Sequence, residues 1–139
     1  MKNKFALAFA GFLLCVASPF AALAEGTTAD ILELVQNSRA KVSGFLSTDD
    51  ENVRSTLLSE ISASTIEVDM RTDTMINDDK TPEETKQRLL QFKSVWAEFV
   101  QTRDGEMIPA AQEGDKEKAR NLGQTVQMER FKKIQTLLK

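Results

Sequence analysis

From Thr28 onward the apolar residues of this chain recur at steps of three and four, and nowhere do they alternate over a sustained run. That period buries a stripe along one side of a helix and cannot face a sheet, so the chain is predicted to be all-α. Four such segments follow one another. The first runs from about Thr28 to Leu46 on a seam of Ile31, Val35, Ser38, Val42 and Phe45, with Thr27 or Thr28 to cap it. The second, to about Ile76, uses Val53, Leu57, Ile61, Ser64 or Thr65, Val68 and Met75. It is poorer, because Ser62, Ser64, Thr65, Thr72 and Thr74 lower helix propensity and bring hydroxyls near the core.

Turn chemistry separates the segments. Thr48-Asp49-Asp50-Glu51 reads as a capping box before the second. Thr81-Pro82-Glu83-Glu84 reads as another before the third, with Thr81 as cap and Pro82 at the first helical position. The third segment carries Leu89, Phe92, Trp96, Phe99 and Met107 to about Gln112. It is roughly 30 residues and about 45 Å long, and Pro109 kinks it or ends it early. Gly114 suits a helix C-terminus and Asp115 the next N-cap. The last segment holds Ala119, Leu122, Val126, Phe131, Ile134 and Leu138, with Lys132, Lys133 and Lys139 placed to suit its dipole. Short connections make neighbours antiparallel, and the expected architecture is an up-down-up-down four-helix bundle.

Residues 1–24 read as a secretory signal: Lys2 and Lys4, an apolar run from Phe5 to Val16, then Ala22-Leu23-Ala24. Cleavage before Glu25 leaves a single domain, 25–139, in the periplasm or secreted. An uncleaved signal that anchors the chain to a membrane is the rival reading. Leu14 stands before Cys15 where a lipoprotein signal has a small residue, so no lipidation is expected. Cys15 is the only cysteine and leaves with the signal. The remainder carries 16 basic and 21 acidic residues, a net charge of −5, which argues against a nucleic-acid partner.

The chain has neither histidine nor tyrosine. The commonest general base, zinc ligand and haem ligand are therefore missing. Asp49-Asp50-Glu51 and Asp78-Asp79 form no calcium-type loop. No nucleophile–base pair or metal set can be assembled. Catalytic residues, metal ligands and cofactors are accordingly not expected, nor is an enzyme.

Thr81 to Lys139 resembles the ligand-sensing four-helix-bundle domain of methyl-accepting chemotaxis receptors. The likeness lies in Leu89-Leu90, Phe92-x-x-x-Trp96-x-x-Phe99, Ile108-Pro109-Ala110-Ala111, the Glu113-Gly114-Asp115 turn and Ala119. It implies a non-enzymatic sensor module for signal transduction or chemotaxis. Its partners would be a small-molecule ligand or a membrane signalling protein, and homodimers are part of that expectation. The sequence stops at Lys139, short of the second membrane span and signalling rod that such receptors carry. The chain is also similar in plan to soluble periplasmic b-type cytochromes, but it lacks their haem histidine. A periplasmic helical chaperone or stress-binding protein, or an accessory subunit of a membrane complex, are the alternative readings.

Two sets of residues stand out. Phe92, Trp96 and Phe99 share one helical face, the spacing of core aromatics, and could instead line a pocket. Arg71 and Arg103 fall on or beside apolar seams, with Thr72 on the hydroxyl-rich face nearby. An arginine so placed either pairs with a carboxylate such as Glu67 or Asp69 or presents its fork to a carboxylate ligand. Arg71, Arg103 and Thr72 are thus the candidate ligand-binding residues.

Overall fold

The computed structural model describes residues 26–139. The expected signal segment 1–24, the cleavage site expected before Glu25, and Cys15 lie outside the described residues. Among the described residues there is no strand, and the helices form four rods. Helix α1 spans Thr28–Ser47 and α2 spans Glu51–Asn77. The third rod is α3, Glu83–Thr102, then a π-helical turn, Arg103–Met107, then α4, Ile108–Gln112. The fourth is α5, Lys116–Gln124, and α6, Val126–Leu138. Helix α1 packs on α2, α2 on α3, α3 on α6 and α6 on α1. No helix among the described residues is long and apolar enough to cross a membrane.

The caps follow from short polar side chains, though not always the expected ones. Thr27 caps α1 in a reciprocal box with Asp30. At α2 the cap is Asp50 rather than Thr48: Asp50 Oδ1 accepts from the Asn52 and Val53 amides at 2.9 and 3.2 Å. Thr48 instead ends α1 and accepts from the Asp50 amide. At α3 the Thr81 side chain does not cap. Pro82 takes the cap position, and its carbonyl accepts from the Lys86 amide. The Gly114 turn is as expected. Gly114 has φ +88°, the Asp115 amide reaches back to the Ala110 carbonyl, and Asp115 then caps α5.

Two interruptions shape the molecule. Pro109 in a continuous α-helix would clash with the Gly105 carbonyl. The chain answers one turn earlier, where the Ile108 amide bonds to the Arg103 carbonyl five residues back and widens the turn. The fourth rod breaks at Thr125, whose φ −108° and ψ −95° are not helical. The break resets the buried face. Val126, expected in the core, is 39% exposed. Gln127 is buried in its place and donates to the Phe99 carbonyl at 2.8 Å.

The main core joins α1, α2, α3 and α6 through Ile31, Val35, Val68, Leu89, Phe92, Trp96, Phe99 and Ile134. A smaller cluster of Phe45, Ile108, Ala110, Ala111 and Ala119 fills the end near the π turn. The α1 seam is buried throughout, at Ile31, Val35, Ser38, Val42 and Phe45. The α2 seam is not: Val53 is exposed and Arg54 is buried beside it. Arg54 lies 5.4 Å from the centre of the Phe45 ring and donates to the Thr48 carbonyl.

Candidate functional site

Arg103 opens the π turn and is the largest fully buried side chain among the described residues, at 1% exposure. A guanidinium inside a helical core needs acceptors, and it finds them on three elements. Asp104 accepts from Nε at 2.6 Å and from Nη2 at 2.9 Å. Thr65 of α2 accepts from Nη2 at 2.9 Å, and Ser38 of α1 from Nη1 at 3.4 Å. The hydroxyls that lowered the helix propensity of α2 thus have a use: Thr65 serves the arginine and back-bonds to the Ile61 carbonyl.

On one side Arg103 borders a cleft of about 580 Å³ walled by α1, α3, the π turn, α5 and α6. Its cations are Arg39, Arg103, Lys116 and Arg120, and no carboxylate among the described residues lines it. Val42, Leu46, Phe99, Met107 and Met128 make the apolar part of the wall, and Ser43, Ser47, Gln124 and Gln127 the neutral polar part. At Gly123 a Cβ would meet the flexible Met107 Cε at 3.2 Å. Arg39 stacks its guanidinium on Phe131, 3.8 Å from the ring centre, and burial lowers its pKa below the ordinary arginine value. Lys116 reaches Asp49 on the α1–α2 connection and, by hydrogen bond and charge, pulls that carboxyl's pKa down.

The residues singled out in the sequence do not meet in one place. Arg103 lines the cleft. Arg71 lies along α2, paired with Glu67 at 2.7 Å, on a separate groove with Ile66 and Met70. Thr72 is fully buried and its hydroxyl bonds to the Val68 carbonyl. Phe92, Trp96 and Phe99 are core residues, with ring centres 6.2 and 5.4 Å apart in sequence order. Phe99 alone of the three also reaches the cleft. The Trp96 indole N–H donates to Asp69 at 3.0 Å. Partial burial raises the Asp69 pKa against the pull of that bond, and nearby Asp73 raises it further.

Arg39, Lys116 and Arg120 went unnoticed in the sequence because each reads as an ordinary charge on a solvated helix face. Only the packing of α5 against α1 gathers them. Among the described residues no group of acidic, cysteine or histidine side chains is placed to hold a metal ion. Compared with known proteins, the chain matches no family model, no curated protein and no solved structure.

Proposed function

We propose that this protein is an exported, non-enzymatic, sensor-like module of signal transduction that takes a small ligand into the cleft beside Arg103. The observation that carries this reading is the convergence of four cations from α1, the π turn and α5 on one concave, partly apolar space. A largely preformed cleft with an apolar wall and a few converging polar groups is the usual form of a small-molecule site. The resemblance of Thr81–Lys139 to chemoreceptor sensing domains points the same way. A ligand there would touch α1, α5 and the π turn together and so favour one packing of the rods over another. A membrane signalling protein would read that change.

The reading includes an up-down-up-down rod order. The pairs Lys93–Asp73, Trp96–Asp69 and Arg103–Thr65 support it, because they step forward along the third rod as they step back along α2.

A thermal-shift screen of the purified protein against small carboxylates, amino acids and aromatic acids tests the ligand reading. A saturable rise in melting temperature that Arg39→Gln weakens is the expected result, since a ligand selective for the folded state stabilises it by mass action. A flat screen on a cooperatively folded protein would shift the assignment to a protein partner.

One observation favours a second reading, a periplasmic helical chaperone. Ile66 and Met70 are 61% and 62% exposed on one face of α2. If that face binds unfolded chains, the protein suppresses aggregation of a reduced client, and Ile66→Lys with Met70→Lys abolishes the effect.

A further inference from the structure

We infer that the cleft selects an organic acid, a carboxylate on an apolar and otherwise uncharged body, and turns away the α-amino acid built on the same body. The inference rests on the ligand-binding reading above and names the ligand class for that site.

The charges of the cleft are not equally available. Asp104 already chelates Arg103, and Asp49 already holds Lys116. Arg39 and Arg120 have no carboxylate partner among the described residues. Arg39 is also preorganised. Its guanidinium carbon lies over the Phe131 ring, 3.8 Å from the ring centre, a contact that holds the head group at the cleft wall, and a guanidinium so held receives a carboxylate in a two-point bond. Burial has stripped part of its hydration, as its lowered pKa reflects, and an anion would replace the lost water dipoles.

The rest of the wall decides what the anion must carry. Val42, Leu46, Met107 and Met128 offer an apolar surface that two flexible methionines can fit to shape. A space of about 580 Å³ lies in the range of sites for whole organic ligands. Acetate or phosphate would leave most of that wall wet. An ammonium group is disfavoured for the opposite reason: it would meet the two unpaired guanidiniums of Arg39 and Arg120, with no carboxylate among the described lining residues to receive it. Attraction and repulsion then act together, as discrimination between close analogues requires.

The test titrates the purified protein with 3-phenylpropanoate, octanoate, phenylalanine, 3-phenylpropanamide and inorganic phosphate at constant ionic strength, by calorimetry and thermal shift. Either acid should bind saturably. Phenylalanine, the amide and phosphate should each bind at least ~10-fold more weakly, the scale of one lost charged hydrogen bond or one unpaired charge. Arg39→Gln and Arg120→Gln should each weaken the acid by about 10-fold, and Arg71→Gln should leave it unchanged. Phenylalanine or the amide binding as tightly as the acid overturns the inference and leaves the ligand-binding reading standing. Phosphate binding as tightly overturns it too, because the cleft would then be a general oxyanion site. No response to any of the five overturns the inference, and the ligand-binding reading falls with it only if the wider screen is also flat.

Discussion

Trp96 shows how one side chain serves two purposes. Its rings lie in the core between Phe92 and Phe99, while its N–H reaches the half-exposed edge where Asp69 stands. Truncating it opens a cavity in the main core, so Trp96→Ala should cost about 3–5 kcal/mol in urea unfolding. A loss well under ~1 kcal/mol would place the ring at the surface. Asp69 yields a prediction with a sign. Its folded-state pKa is raised, chiefly by burial. The folded protein therefore binds this proton more readily than the unfolded chain, and wild-type stability falls as pH rises from the unfolded carboxylate value through the raised one. Asp69→Asn keeps an acceptor for the indole and removes the charge. It should be the more stable protein at neutral pH, with its advantage vanishing below the ordinary value of 3.8. Denaturation curves of both proteins across that range check this. The aromatic triad was legible in the sequence because its three- and four-residue spacing is the core spacing of a helix. The tie to Asp69 was not, since Asp69 stands 27 residues earlier on another rod.

At the scale of the element, boundaries were harder to read than helices. The sequence reads as a capping box built on Thr48, but Asp50 stands two residues on, and a carboxylate that reaches two amides outcompetes a hydroxyl that reaches one. Asp50→Ala should thus cost about 1 kcal/mol. Thr81→Ala should stay within ~0.5 kcal/mol, because the Thr81 side chain caps nothing. Melting curves of the two variants side by side decide it, and equal losses would restore the threonine as a cap. The seam of α1 was legible because every buried position is apolar or small. That of α2 was legible at Ile61, Ser64 and Val68 but not at its start, where the Arg54 guanidinium lies 5.4 Å from the centre of the Phe45 ring and takes a place that Val53 would fill on hydropathy alone. Neither the π turn nor the break at Thr125 has a local signature that fixes its position. Pro109 announces trouble, but the widening occurs where Arg103 finds partners on α1 and α2.

Across the whole molecule, stability is uneven from end to end. The main core is one cluster drawn from four helices, whereas the opposite end has two small ones, Phe45 and Ile108 with three alanines, and Val42, Ile61 and Met107. Helix α5 buries only Ala119. Amide hydrogen exchange should therefore be fastest in α5 among the helices and slowest in the middle of α3, in keeping with the density of buried apolar contacts. Uniform protection would contradict this gradient. The same unevenness explains why the helices could be read from the sequence and the cleft could not. Helical seams are local patterns, but the cleft joins position 39 to 103, 116 and 120, and it exists only because a loosely held helix rests against the rest. A ligand in it should slow exchange in α5 more than in α3.

The buried stack between α2 and α6 has one more consequence, an optical one. Trp96 is the sole tryptophan and the chain has no tyrosine, so light too long in wavelength for phenylalanine to absorb excites one ring alone. Because that ring lies at 2% exposure in the core shared by α1, α2, α3 and α6, the colour of the emitted light reports the opening of that core to water. The molecule needs no added dye to time its own opening.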